Sequence, residues 1–212
     1  MLRIREAVPA GVIIVAVTKG RSIAEIKEAI EAGITDIGEN KVQEALLKYS
    51  ELAGQPVKWH MVGHLQANKA KDAVKIFDLI QSVDSPHLAV EIDKQAGKIN
   101  KIQDVLIEIK TSPEATKSGL KPEEAAAVIK EIAKLKNINI KGLMTIAPIV
   151  DDPEKARPYF RMLRELKDRI NQLMTNDQRL KTISMGMSDD FKIAIEEGAT
   201  MVRLGRAIFS RV

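Results

Sequence analysis

Val12-Ile13-Ile14-Val15-Ala16-Val17-Thr18-Lys19-Gly20 is an apolar, largely β-branched run that stops on a lysine and a glycine. It is the right length for a buried strand and far short of the ~18 or more apolar residues of a bilayer span. Outward from it the pattern repeats. Short β-branched runs at residues 36–38, 58–62, 79–83, 105–109, 140–144, 182–185 and 201–204 alternate with segments of helical period at 23–32, 41–52, 68–76, 86–98, 122–136, 154–174 and 189–197. Gly33, Gly54 and Gly198 are placed as helix stops, and Asn, Ser or Pro stands at several helix starts where caps belong. With residues 12–17 this predicts eight strands regularly separated by helices. No reversal of strand order needs to be invoked, so an α/β closed parallel barrel of the (β/α)8 TIM type is favoured over an open doubly wound sheet.

At 212 residues the chain is short for that architecture, whose typical length is about 250. Tight loops follow, and with only residues 206–212 beyond the last strand and 1–11 before the first, the outer helix ring is expected to be incomplete. No repeat, low-complexity stretch or linker divides residues 1–212, which read as one domain. There is no cysteine, which excludes disulfides, thiolate metal sites and a cysteine nucleophile. The 33 basic and 29 acidic residues give a net charge of +4 and are interleaved along helices, a mild bias that suits phosphate ligands without demanding nucleic acid. Aromatic residues make up 3% of the chain, too few for the stacking platforms of single-strand nucleic-acid binders. No secretory signal or membrane segment is read at the N-terminus, so a cytoplasmic location is expected.

In such a barrel, reactive groups gather at the C-terminal ends of the strands. The first strand projects Lys19 into the mouth, where apolar walls would strip solvent from its ammonium and leave a competent amine for a Schiff base; the bland reading is a solvated surface lysine. The second ends Gly38-Glu39-Asn40, either a ligand contact or merely the cap of the helix at 41. In Trp59-His60-Met61-Val62-Gly63-His64 the period of two puts both histidines on one face, but no third ligand stands at a supporting spacing, so no metal is expected and hydrogen-bonding or packing roles are preferred. Gly186-Met187-Ser188 opens a helix after the seventh strand, and Arg203-Leu204-Gly205-Arg206 ends the eighth. Backbone N–H groups freed by glycine, a hydroxyl and a helix N-terminus together make an anion site, in the pair of loops where barrels bind phosphate. A mouth lysine with a phosphate site points to a sugar-phosphate Schiff-base aldolase or a pyridoxal phosphate site.

The same residues carry a resemblance. Ala16-Val17-Thr18-Lys19, Gly38-Glu39-Asn40-Lys41-Val42-Gln43-Glu44, Trp59 to Lys69, Gly142-Leu143-Met144-Thr145-Ile146-Ala147-Pro148, Ser184 to Phe191 and Val202 to Phe209 resemble, in order, the motifs of the YggS/PROSC family of pyridoxal phosphate homeostasis proteins, whose fold is that of the alanine racemase barrel domain. The resemblance implies that Lys19 carries pyridoxal 5′-phosphate as a Schiff base. It implies that Ser188, Gly205 and Arg206 hold the phosphate, the last two chiefly through backbone N–H. Arg203 would face the pyridine nitrogen, with Asn40, His64 and Met144 lining the ring. An arginine there only donates, keeps the ring nitrogen unprotonated and makes the cofactor a poor electron sink. Tyr49 and Tyr159 fall in helices, so neither is an obvious second base and two-base racemisation is disfavoured. The implied function is that of a monomeric carrier or buffer of the cofactor, without catalytic residues, that meets cofactor-requiring apoenzymes transiently and affects amino-acid and keto-acid balance. The alternative is a weak amino-acid racemase or Schiff-base lyase.

Overall fold

Each β-branched run forms a strand, and each strand hydrogen-bonds to the next in sequence. The computed structural model describes residues 2–114, 118–175 and 179–210. Strands β1 (Ile13–Val17), β2 (Asp36–Glu39), β3 (Lys58–Met61), β4 (Leu79–Val83), β5 (Gln103–Glu108), β6 (Ile138–Met144), β7 (Thr182–Ser184) and β8 (Met201–Leu204) form a closed barrel in that order. All neighbours are parallel, and closure is the pairing of β8 with β1, from Ile13↔Met201 to Ala16↔Leu204. The connections are α2 (Ile23–Glu31), α3 (Val42–Glu51), α4 (Ala70–Ile76), α5 (Pro86–Gly97), α6 (Pro122–Ile132), α7 (Arg157–Gln172) and α8 (Phe191–Glu196). Their ends follow local chemistry: Ser22 and Glu25 form a capping box at α2, Ser85 caps α5 ahead of Pro86, and Gly33, Gly54 and Gly198 stand at positive φ where helices stop.

Two short helices flank the strand series, α1 (Leu2–Ala7) before the first strand and α9 (Arg206–Phe209) after the last. Neither was legible in the sequence, and with four residues α9 is indeed no full eighth helix. Other boundaries move for identifiable reasons. β5 starts at Gln103 rather than 105 because the Gln103 amide donates to the carbonyls of Phe77 and Asp78, which pins a polar residue into the sheet, and its partner Ile138 starts β6 correspondingly early. The helix expected at 189 begins at Phe191 because the Asp190 carboxylate accepts the Met187 N–H and holds the preceding turn outside helical geometry. The helices expected from 68 and 154 start with 3-10 turns at Ala67–Lys69 and Pro153–Ala156, and that expected to reach 136 stops at Ile132.

Strand alternation divides the core in two. Side chains such as Ala16, Ile37, Ile80 and Ile107 point outward and pack against helix residues including Ile26, Ile92, Ile129 and Phe160. The inward set, Val15, Val62, Leu79, Leu106, Met144 and Met201, fills the barrel with Val17 and Ile146 against it. Burial of each such side chain contributes about 1.5–3 kcal/mol. Because Val15 and Val17 face inward, the same period sends Thr18 outward to the helix layer and aims Lys19 over the mouth.

Candidate functional site

All eight residues singled out in the sequence stand at the C-terminal end of the barrel. Lys19, Asn40 and His64 follow β1, β2 and β3; Met144 ends β6; Ser188 follows β7; Arg203 lies in β8, with Gly205 and Arg206 after it. Met144 is fully buried in the barrel interior, and Asn40 is half-buried. The loops after β2 and β3 meet closely at Gly63, where a side chain would put its Cβ 2.4 Å from the Asn40 carbonyl oxygen. His64 is exposed and its Nδ1 lies 3.2 Å from the Asp84 carboxylate, a partner its sequence position did not indicate. Lys19 is exposed, which corrects the expectation of an amine stripped of solvent by apolar walls: the period of two carries residue 19 beyond the last strand pairing and into the open mouth.

Arg203 is the opposite case. It is 4% exposed, and burial pulls its guanidinium down to about 10 against the charges of Glu108 and Asp190, still well above neutrality. Its Nη1 donates to the Ser184 hydroxyl at 2.7 Å and its Nη2 to the Thr145 carbonyl at 2.8 Å. From there a chain crosses the barrel: the Ser184 hydroxyl donates to Gln81 Oε1 at 2.6 Å, Gln81 Nε2 donates to His60 Nδ1 at 2.9 Å, and His60 Nε2 donates to Asp36 at 2.9 Å. A guanidinium only donates and a carboxylate only accepts, so every link between them has one possible direction, and the His60 tautomer is the one with its proton on Nε2. Burial opposes ionisation of Asp36, yet the hydrogen bonds from His60 and Thr35 win and hold its carboxyl below the usual range. His60 thus has the hydrogen-bonding role preferred from sequence, while Gln81 and Ser184 were missed; each contact joins residues far apart in the chain.

The two anion-site loops are built differently from each other. Gly186 has φ +89°, and a Cβ there would lie 2.6 Å from Ala194 Cβ, so only glycine lets the Ser188 turn fold back over α8. The Ala207 N–H donates to the Ser188 hydroxyl at 3.2 Å, which draws the turn after β7 against the first turn of α9. The N–H groups of Gly205 and Arg206 open that turn, where helix geometry gives them no intrahelical acceptor. Arg206 is exposed and its side chain pairs with Asp189 across the two loops. Helices as short as α8 and α9 have little dipole, so what this corner could offer an anion is directed N–H and O–H donors.

A third cluster lies beneath Lys19. The buried Lys48 of α3 donates to the Thr18 carbonyl (2.6 Å), Glu39 (2.7 Å) and Glu44 (2.7 Å). Glu44 also accepts the Gly20 N–H at 2.6 Å, and the Thr18 hydroxyl donates to Glu39 at 2.5 Å. Burial pushes the Glu39 carboxyl up, with Lys48 and Thr18 pulling it partly back. Burial also opposes ionisation of Glu44, but Lys48 and the Gly20 N–H prevail and hold it low. Glu39 therefore neither contacts the mouth nor caps α3, whose N-cap Lys41 makes no side-chain cap bond.

Tyr49 lies on α3, edge-on to Trp59, and Tyr159 packs in the outer core, so neither faces the mouth. Among the described residues no group of three or more His, Cys, Asp or Glu side chains is placed to hold a metal, and no helix is long and apolar enough to cross a membrane.

A profile of the alanine racemase N-terminal domain family matches residues 1–211. The pyridoxal phosphate homeostasis protein of Aquifex aeolicus (strain VF5) is 46% identical over 184 residues, spanning 87% of this chain and 80% of the relative. That of Synechocystis sp. is 43% identical over 202 residues, 95% of this chain and 92% of the relative. PipY of Synechococcus elongatus PCC7942, solved with PLP bound, superposes with a TM-score of 0.92 at 37% identity, covering 99% of this chain and 97% of that one. Alanine racemase of Clostridium difficile 630 shares the fold, with a TM-score of 0.83 at 17% identity, and this chain covers 58% of it. The eight-stranded barrel and these relatives agree: the chain belongs to the pyridoxal phosphate homeostasis proteins of the alanine racemase N-terminal domain family.

Proposed function

We propose that this chain binds pyridoxal 5′-phosphate as a Schiff base on Lys19 and acts as a carrier or buffer of the cofactor, with residues 1–212 working as one domain. The donor set fits the group. Ser188 and the N–H groups of Gly205 and Arg206 offer neutral, directed donors to a phosphate, Lys19 offers an exposed amine beside the same β1–β8 seam, and Asn40 and His64 follow β2 and β3 at that end of the barrel, whereas Met144, with no exposed surface at the end of β6, borders no open space. The observation that carries the reading is Arg203, a buried guanidinium held at two nitrogens by Ser184 and Thr145. Pyridoxal phosphate, when bound, supplies an aldehyde for Schiff bases and a pyridine ring that withdraws electrons when its nitrogen is protonated. Arg203 can donate to that nitrogen but cannot accept its proton, so it favours the unprotonated ring and weak support for carbanion chemistry. Neither Tyr49, packed on Trp59, nor Tyr159, in the outer core, reaches the mouth to serve as a second base. A carrier follows more naturally than a dedicated racemase or lyase, and one that works as a cytoplasmic monomer and passes cofactor transiently to apoenzymes.

The test is the visible spectrum of the purified protein before and after borohydride reduction, with peptide mapping of the fixed label. A yellow protein labelled on Lys19, colourless as Lys19→Ala and no better than free cofactor at racemising amino acids, is the expected result. A protein that cannot be loaded with added cofactor would sink the reading. Turnover well above free cofactor that vanishes in Lys19→Ala would replace the carrier with an enzyme.

A further inference from the structure

We propose that Lys48, clamped by Glu39 and Glu44, is a positioning residue that holds the Lys19 backbone from both sides and so sets the reactivity of the Lys19 amine. The inference rests on the reading of Lys19 as the Schiff-base residue. Lys19 stands two residues beyond the end of β1, and among the described residues no hydrogen bond or ion pair fixes its exposed amine. The backbone on either side of it is fixed. The carbonyl of Thr18, on one flank, accepts from Lys48 at 2.6 Å, and the N–H of Gly20, on the other, donates to Glu44 at 2.6 Å. Lys48 also bonds Glu44 at 2.7 Å, so the two flanks are tied to each other through a single ion pair. Glu39 completes the clamp, accepting from Lys48 and from the Thr18 hydroxyl on the outer face of the barrel.

The chemistry explains why a lysine suits this position. An ammonium has three donors, and here three acceptors, Thr18 just after β1, Glu39 of β2 and Glu44 of α3, use all of them. Lys48 therefore has no lone pair for an aldehyde, and of the two amines at this strand end only Lys19 is free to react. Schiff-base formation at Lys19 adds its nitrogen, as the free amine, to the aldehyde carbon; a C=N bond replaces C=O, and the oxygen leaves as water with the two amine protons. Holding residues 18 and 20 rigid places that nitrogen at the aldehyde before the reaction instead of searching for it, and misplacement by about 1 Å can cost on the order of a hundredfold in such a step.

The test compares two ligands. Pyridoxal phosphate can react with Lys19, whereas pyridoxine phosphate has the same ring and phosphate but an alcohol in place of the aldehyde. For Lys48→Met the rate of Schiff-base formation at saturating pyridoxal phosphate should fall by about tenfold or more, with pyridoxine phosphate affinity within about twofold of wild type. A folded Lys48→Met that loads at the wild-type rate, or that loses both ligands equally, overturns the proposal. Should Lys48→Met not fold, Glu44→Ala decides: it frees the Gly20 N–H while leaving Lys48 its bonds to Glu39 and Thr18, and slower loading with unchanged pyridoxine phosphate binding supports the clamp, unchanged loading refutes it. Borohydride labelling of wild type separates the two levels. A label absent from Lys19 removes the underlying reading, and a label on Lys19 with normal loading of both variants removes the clamp alone.

Discussion

Ser184→Ala tests the chain that crosses the barrel. The hydroxyl of Ser184 links Arg203 to Gln81: it accepts from Nη1 at 2.7 Å and donates to Gln81 Oε1 at 2.6 Å, in a residue with no solvent exposure. Its removal loses a hydrogen bond to a charged group, about 1.5–3 kcal/mol, and orphans a buried amide oxygen, about 1–3 kcal/mol. A loss of about 3–5 kcal/mol in the unloaded protein follows, read as a urea midpoint shift at unchanged slope. In a chain of this size the melting temperature should drop by about 2–4 °C for each kcal/mol. The decisive comparison adds Gln81→Leu. Because the double variant removes donor and acceptor together, its cost should be well below the sum of the two single changes. A Ser184→Ala protein within about 1 kcal/mol of wild type, or strict additivity with Gln81→Leu, would refute the directional chain.

Other changes report on separate parts of the site. Arg203→Lys keeps a charge but loses the planar fork that reaches Ser184 and Thr145 together, so pyridoxal phosphate affinity should fall about tenfold, measured by equilibrium titration of the visible band. Gly186→Ala forces a side chain into φ +89° and against Ala194, so we expect about 1–3 kcal/mol of destabilisation together with weaker phosphate binding, read with inorganic phosphate as competitor. Asp36 has its folded value held below its ordinary 3.8, so its stabilising contribution is complete above that pH and drains away as pH falls through the lower folded value. Melting curves of wild type and Asp36→Asn should therefore converge as the pH is lowered below 3.8 and stay apart above it.

The barrel was legible because its eight strands are short β-branched runs at regular intervals, and sequential pairing asks nothing of the sequence but that regularity. The mouth was legible because strand ends are where chemistry must lie in such a fold. What escaped has a common cause. Lys48 looks like one more helix lysine four residues after Glu44, and Gln81 and Ser184 like ordinary strand residues, because the partners that set their roles are distant in sequence, Thr18 30 positions from Lys48 and Gln81 103 from Ser184. Helices α1 and α9 are too short to show a period. Lys19 was placed correctly but assigned the wrong surroundings, since a strand pattern tells which face a residue takes and not how far the barrel wall extends beyond it.

The one-way chain through the barrel also constrains how the sequence can drift. A substitution at any single link strands a donor on one side and an acceptor on the other, so divergence is channelled into paired changes: Ser184 with Gln81, Gln81 with His60, His60 with Asp36. Those pairs lie 103, 21 and 24 positions apart. A chimaera joined between β4 and β7 should therefore be viable only when both parents supply matching polar partners at these positions.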